Sequence, residues 1–545
     1  MITLDYDTII ENGKILDGTG NPGFFADIAI KEGRIVKIGN RLDKYSSKKV
    51  IDAKNLIVSP GFIDIHSHSD YTIPFDQMTV STIHQGVTTL VVGMCGASLA
   101  PVNPNKKELF DKEFSMSAPS GLDYTVTWSS FSEYLDVMEK LGCSSNIAFL
   151  MGFGMIRLAA MGYENREPTP DELEQMKNYI RDGMEAGAFG ISTGLIYTPQ
   201  AYAKTEEVIE LAKVVAKYHG LYFSHIRNEG KYVLEAVQEV INIVEKSGCL
   251  GGQIAHHKVA GKDYWGLSNK TLQLIEEANN RGTNITCDQY PYNRGMTSLV
   301  TLLPPWSHEG GFEKLLERLS NTEEKEKMRK DMNEGTSYES FVKSSGWNHI
   351  FIASLETDKW MPFIGKSLSQ ITKELGKEDE FEVLCEILID EKAKGSMTIQ
   401  SMGDEDIERI MTGRYTMVGT DASAIPLTGP LSYGKPHPRY FGTFPRILGL
   451  YVREKKIMTL ETAIRKMTSF PAQRLGLFDR GIIREGNWAD ITIFDPETII
   501  DKATFLDPLQ LSDGIEFVIV NGDLVIEEKK HLLTKPGRIL RKIRA

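Results

Sequence analysis

The stretch PGFIDIHSHSD, Pro60 to Asp70, places two histidines one residue apart at the end of an apolar run. Successive side chains on a strand point to opposite faces, so His66 and His68 share one face and can aim two imidazoles at one point. That spacing permits a metal site, and equally a strand that closes on two polar residues. What stands at the ends of the other strands decides between them.

From about Leu56 onward a strand-then-helix rhythm sets in. Eight runs have strand character: FIDIHSH, TTLVVG, NIAFLMG, AFGISTGL, YFSHIR, GQIAHHK, NITCDQYPY and YTMVGTD. Helical stretches separate most of them. In TPDELEQMKNYIRDGMEAG, Thr169 is a cap, Pro170 opens the helix and Glu172 completes a capping box. TEEVIELAKVVAKYHG and YVLEAVQEVINIVEKSG carry apolar residues at helical spacing and stop at glycine. Eight strands alternating with helices fit an α/β fold of the (β/α)8 barrel type better than an open doubly wound sheet. The span 293–412 is too long for a single connection and holds charged helical stretches such as NTEEKEKMRKDMNEG, so it reads as an insertion between strands 7 and 8.

Both ends of the chain are β in character. DTIIENGKILD has an Asn12-Gly13 turn between alternating apolar residues, and ADIAIKEGRIVKIG repeats the pattern; at the far end NWADITIFD alternates and EFVIVNGDLVI centres a hairpin on Asn521-Gly522. Neither end has enough strands for a sheet of its own, which predicts one small β-sandwich domain built from both termini. The expected organisation is 1–58 and 479–545 in the β-sandwich, 59–292 and 413–478 in the metal-dependent barrel, and 293–412 as the insertion.

The 545 residues, 41% hydrophobic and 25% charged, are ordinary for a globular chain with a large core and accessory parts. A net charge of −12 disfavours nucleic acid or an acidic membrane as the main partner. The N-terminal MITLDYDTIIENGK lacks a basic leader and an apolar signal core, and no uncharged run is long enough for a membrane span. Cys95, Cys143, Cys249, Cys287 and Cys385 are odd in number and without CxxC spacing, which argues against a disulfide framework and for a cytoplasmic location. Oligomeric state leaves no signal in the sequence.

The strand ends settle the opening choice. His66 and His68 end the first strand, Cys95 the second, His225 the fifth, His256 the sixth and Asp421 the eighth. Barrel active sites lie at that end, and six ligand-type residues converging on one mouth point to a metal centre. Asp421 is also the candidate for moving protons.

These motifs carry a resemblance. GFIDIHSHSD, GMCGAS, SHIRNEG, AHHKVAG and VGTDAS resemble the metal motifs of the amidohydrolase superfamily, in particular its D-aminoacylase branch. GISTGLIYTPQAYAKTEEVIELAK and KPHPRYFGTFPRILG resemble that branch as well, so the similarity spans nearly the whole chain. Cys95 discriminates most, because many superfamily members bridge two metals with a carboxylated lysine or a glutamate where this branch uses cysteine. The resemblance implies that Cys95, His225 and His256 hold a tight zinc, with His66, His68 and Asp421 forming a weaker second site. Thiolate plus imidazole is a zinc-favouring set. It also selects His256 over His257, which is left as a packed histidine.

What the resemblance implies for activity is hydrolysis of the amide bond of a small-molecule N-acyl-D-amino acid, with metal-activated water and Asp421 as general base and acid. Lys258 and Tyr290 become candidates for the substrate carboxylate. Two departures touch the pocket: Met296 in YPYNRGMT stands where relatives have a hydroxyl, and Phe153 in GFGMIR where they tend to have histidine. Arg294 is offered, on charge alone, as a compensating carboxylate fork. The competing readings are a cyclic-amide hydrolase of the dihydroorotase or hydantoinase kind, and a silent scaffold that kept the fold.

Overall fold

The computed structural model describes residues 5–42, 45–117, 122, 124–335 and 338–542. Eight parallel strands form one circuit: strand 1 Phe62–Asp64, strand 2 Val87–Val92, strand 3 Asn146–Phe149 continued by Met151–Gly152, strand 4 Gly190–Gly194, strand 5 Leu221–His225, strand 6 Gly251–Ile254, strand 7 Ile285–Gln289 and strand 8 Thr416–Val418. Each pairs in parallel with the next, and a parallel bridge between Ser67 and Ala422 joins strand 8 back to strand 1. All eight runs read from the sequence are therefore barrel strands.

The helices follow from local chemistry. Pro170–Ala186 starts at Thr169, whose side chain accepts from Glu172 N while Glu172 reaches back, and ends at left-handed Gly187. Val233–Ser247 likewise stops at left-handed Gly248. Thr205–Ala216 ends short of its glycine, because His219 at φ 52° already takes the left-handed turn.

The termini build one two-sheet β unit, as expected, but the premise that neither end has a sheet of its own fails. The N-terminal segment by itself supplies a whole four-stranded sheet, in the order Arg34–Gly39, Asp27–Lys31, Tyr6–Glu11, Ser47–Asp52. A seven-stranded sheet mixes both ends, with Ile57–Pro60 antiparallel to Ile491–Phe494. The two share an isoleucine-rich core that includes Ile10, Ile28, Ile51, Ile491 and Ile519. Asn12-Gly13 is not a hairpin turn: the strands it joins lie in different sheets, and Asn12 at φ 63° carries the chain across. Asn521-Gly522 does turn a hairpin, with positive φ at both residues. Ile539–Leu540, near the C-terminus, leaves the β layers and pairs with barrel strand 3.

Between strands 7 and 8 a three-stranded antiparallel sheet, Arg294–Ser298, Ser396–Gln400 and Ile350–Ser354, carries helices and a separate core around Trp360, Leu384 and Met397. Helix Asp404–Thr412 belongs elsewhere, since it packs on barrel strands 7 and 8. Among the described residues no helix is long and apolar enough to cross a membrane, and all five cysteines are free and buried.

A polar knot fastens the β layers to the barrel base. Asp490 accepts from Arg480, from Asn521 N at 2.7 Å and from Asn146 Nδ2 of strand 3 at 3.1 Å. Replacing Asp490 by alanine strands a buried guanidinium, which costs about 3–5 kcal/mol. A lower urea midpoint and reduced soluble yield are the expected result for Asp490→Ala, and an unchanged midpoint would remove the knot from this role.

Candidate metal centre

His225 closes strand 5, and the other candidate ligands stand just beyond their strand ends, where the backbone turns over the mouth. Cys95, His256 and Asp421 all adopt positive φ, 52°, 36° and 52°. For non-glycine residues this costs of order 1–3 kcal/mol each, and it persists only where surrounding contacts enforce it. At Cys95 those contacts are visible. Gln200 Nε2 donates to Cys95 O at 3.1 Å, and Gly96 N donates to Ser192 Oγ at 2.9 Å. A Cβ on Gly96, which has φ 75°, would lie 1.9 Å from Gln200 Oε1, so both the backbone and this close approach favour glycine after the cysteine.

Two ligand groups result, and Cys95 belongs to both: His66, His68, Cys95 and Asp421 in one, Cys95, His225 and His256 in the other, with the donor atoms of each within 4.8 Å of one another. The structure thus brings together all six candidates read from the sequence. Cys95 Sγ lies 3.5 Å from Nε2 of both His66 and His256. Ligands at the usual Zn–S and Zn–N lengths of about 2.3 and 2.0–2.1 Å stand about 3.5 Å apart at a tetrahedral angle. His225 is buried with neither ring nitrogen bonded to any described residue, an orphan that a metal would satisfy. The residues fit zinc.

Behind the ligands lies a ring of carboxylates that orients them. Asp288 Oδ1 sits 3.0 Å from His66 Nδ1 and accepts from His256 N at 2.8 Å. Glu229 Oε1 lies 3.1 Å from His256 Nδ1 and accepts from Lys258 Nζ at 2.7 Å. Asp421 Oδ1 lies 3.2 Å from His68 Nε2, and its Oδ2 is 2.7 Å from Arg439 Nη1. These neighbours set the charges. Burial opposes ionisation of Cys95, but the charges of His66 and His256 pull the thiol well below its ordinary value. His68, against the cost of burial, is raised to about 9 by Asp421 and Cys95. Burial likewise opposes the Asp421 carboxylate, yet Arg439 first and His256 next hold it well below the carboxylate range.

The centre opens into a cavity of about 490 Å³. Lys258 and Tyr290 line it, as does Arg439. Lys258 is in place although strand 6 ends at Ile254, because the turned backbone at His256, not strand alternation, directs it. Tyr290 Oη and Arg439 Nε are buried without a hydrogen-bond partner among the described residues, and Arg439 Cζ stands 4.7 Å from the centre of the Tyr290 ring. Arg294 does not take the role offered for it: its guanidinium is stacked between Phe351 and Phe505, at 4.0 and 4.3 Å, away from the cavity wall. Met296 lines the cavity, whereas Phe153 is buried in the core behind it. His257 packs away from the site, bonded to Thr271 Oγ1 at 2.8 Å.

Sequence reasoning missed Glu229, Asp288 and Arg439. Glu229 follows His225 by four residues in SHIRNEG, and Asp288 sits on strand 7, but neither spacing is diagnostic alone. Arg439 lies in KPHPRYFGTFPRILG, which carried the resemblance but no assigned role, and its neighbours Phe441 and Phe444 are core.

The model of the Amidohydrolase family matches residues 49–271 and 409–526. The chain is 33% identical over 544 residues to the D-aminoacylase of Alcaligenes xylosoxydans xylosoxydans, covering 98% of this chain and 97% of that protein. A crystal structure of the N-acyl-D-glutamate deacylase of Bordetella bronchiseptica, complexed with zinc and a phosphonate inhibitor that mimics the tetrahedral intermediate, superposes with a TM-score of 0.81 at 32% identity, covering 98% of this chain and 99% of that one. A D-aminoacylase structure described by its binuclear metal centre gives 0.80 at 32% identity, with coverage of 98% and 100%. A D-hydantoinase structure gives 0.54 at 15% identity over 98% of both chains, a likeness of fold alone.

Because Cys95 is common to both groups, Cys95→Ala is expected to empty the whole centre, read as zinc per chain by mass spectrometry. Glu229→Gln keeps the shape but weakens the orientation of His256 and should lower zinc affinity about 10–100-fold. Unchanged zinc affinity in Glu229→Gln would show that the carboxylate serves only Lys258.

Proposed function

The chain belongs to the amidohydrolase family, in its D-aminoacylase branch, and on that premise we infer that it is a zinc-dependent hydrolase of the amide bond of N-acyl-D-amino acids, yielding a carboxylate and a free D-amino acid. The single observation that carries the reading is Cys95 shared between two groups of histidine and carboxylate donors at the mouth of the barrel. Its free buried thiol, its place between the ligand rings and the whole-chain likeness to deacylases all support it.

Cys95, His225 and His256 would hold the tight zinc, and His66, His68 and Asp421 the weaker second one. Zinc held there would lower the pKa of a water toward about 7 and polarise the acyl carbonyl. Asp421 accepts the water proton and delivers it to the amide nitrogen. Its Oδ2 is engaged by Arg439, which leaves Oδ1, beside His66 and His68, as the atom that carries the proton. Lys258, Tyr290 and Arg439 receive the substrate carboxylate, since each brings a donor to the cavity and Tyr290 Oη and Arg439 Nε lack a partner among the described residues. Glu229 fixes Lys258 as a cation: burial opposes the charge, but the adjoining carboxylate raises Lys258 above its ordinary value. The cyclic-amide alternative has only a fold likeness in its favour. Five free cysteines suit a reducing compartment, and we place the protein in the cytoplasm.

The test is amine release from N-acetyl-D- and N-acetyl-L-amino acids and cyclic amides by zinc-loaded protein. Release from the D series alone is expected, and turnover of cyclic amides in its place would overturn the reading. Asp421→Asn should keep the fold and lower kcat by about 10²–10⁴.

A further inference from the structure

The deacylase reading fixes which way a substrate lies, and that direction points to a second recognition site. The carboxylate donors come from strands 6 and 7 and, in Arg439, from the helix that follows strand 8. In an eight-stranded circuit the positions facing these belong to strands 2 to 4. With the carboxylate at the first set and the amide carbonyl at the ligands, the acyl substituent is directed across the mouth toward the second set.

Apolar side chains gather on that side of the cavity, beside Glu113, Thr198, Gln200 and His308. Met155 and Leu158 follow strand 3, Ile196 follows strand 4, and Met116 comes from helix Lys107–Ser117. Leu303 and Phe312, from the insertion, form the roof. The roof is seated on this side: Met116 and Ile196 pack against the insertion core, Tyr202 Oη donates to Pro305 O at 2.8 Å, and Lys112 Nζ lies 3.0 Å from Glu313 Oε1. The ionisable groups bordering the pocket are shifted toward their uncharged forms. Burial pushes Glu113, which accepts from Tyr163 Oη, upward, and burial lowers His308 to about 4. The cavity of about 490 Å³ has room for about sixteen water volumes. An acetyl group would set one methyl against this wall and leave the rest facing water.

We propose that this pocket is an acyl-chain site, and that the substrates are D-amino acids carrying a medium-length aliphatic acyl group on nitrogen. The proposal rests on the deacylase reading for the direction of the substrate. It concerns the group that becomes the released carboxylic acid and is independent of the amino-acid side chain. Burying each added methylene strengthens transition-state binding by about fourfold.

The experiment is a chain-length series of N-acetyl-, N-butanoyl-, N-hexanoyl- and N-octanoyl-D-leucine on the zinc-loaded full chain. The expected result is kcat/KM rising to the hexanoyl compound by about tenfold or more over acetyl. A flat or falling series overturns the proposal. Ile196→Trp fills the half-buried end of the pocket and should lower the hexanoyl-to-acetyl ratio about tenfold, with Leu158→Trp as the second variant if the first does not fold; an unchanged ratio in a folded variant overturns the location. If none of the compounds is cleaved, the hydrolysis reading fails, and calorimetric titration of the same series decides the pocket separately. Affinity that climbs with chain length keeps the acyl site, and affinity independent of chain length removes it.

Discussion

Asp64 at the end of strand 1 and Thr420 just beyond strand 8 are separated by 356 positions, and the hydrogen bonds along this seam close the barrel. Asp64 accepts from Thr420 N at 2.9 Å, from Thr420 Oγ1 at 2.5 Å and from His66 N at 3.1 Å. Above it, Asp421 N donates to His66 O and His68 N to Ala422 O. The same seam that completes the circuit therefore sets Asp421 against His66 and His68. A slip of one residue would turn these side chains to the other face, so the closure of the fold and the assembly of one ligand group are a single event. Asp64 is wholly buried, and burial pushes its carboxyl up to about 7 against the three donors that oppose the shift.

Burial makes the centre electrostatically demanding. Thiolate, imidazoles, carboxylates and two cations are packed where an unpaired charge is costly. The arrangement answers this in layers, with Asp288 behind His66, Glu229 behind His256 and Lys258, and Arg439 behind Asp421. Each outer group fixes the orientation of an inner one, so the inner atoms are positioned before a substrate arrives. The left-handed backbone at Cys95, His256 and Asp421 is the conformational counterpart: strain held in place by the surrounding hydrogen bonds.

The insertion completes the enclosure. Its own core makes it a stable lobe, and its docking on the loops after strands 2 to 4 turns an open barrel mouth into a walled cavity. Glu339 ties this lobe to the centre directly, since its Oε2 accepts from Glu229 N at 2.9 Å, and burial raises its carboxyl to about 8. Covering the mouth excludes water and strengthens the interactions within it.

Much of this was legible in the sequence because it is local. Period and capping chemistry mark the eight strands and the helices between them, as at Thr169 and Glu172, and residues at strand ends in a barrel have to meet at one mouth, which groups His66, His68, Cys95, His225, His256 and Asp421 as candidates. Tertiary structure alone decided the rest. Asn12-Gly13 has the chemistry of a hairpin turn, but the partners of its strands lie elsewhere in the chain and draw them into different sheets. Arg294 and Arg439 carry the same charge, yet one stacks between Phe351 and Phe505 and the other enters the cavity, because the direction of a long side chain is set by what packs around it. The candidate ligands were readable from residue type and strand position, with the resemblance choosing His256 over His257; the carboxylates behind them were not, since Glu229 and Asp288 meet them only through distances between segments that the linear chain does not encode locally.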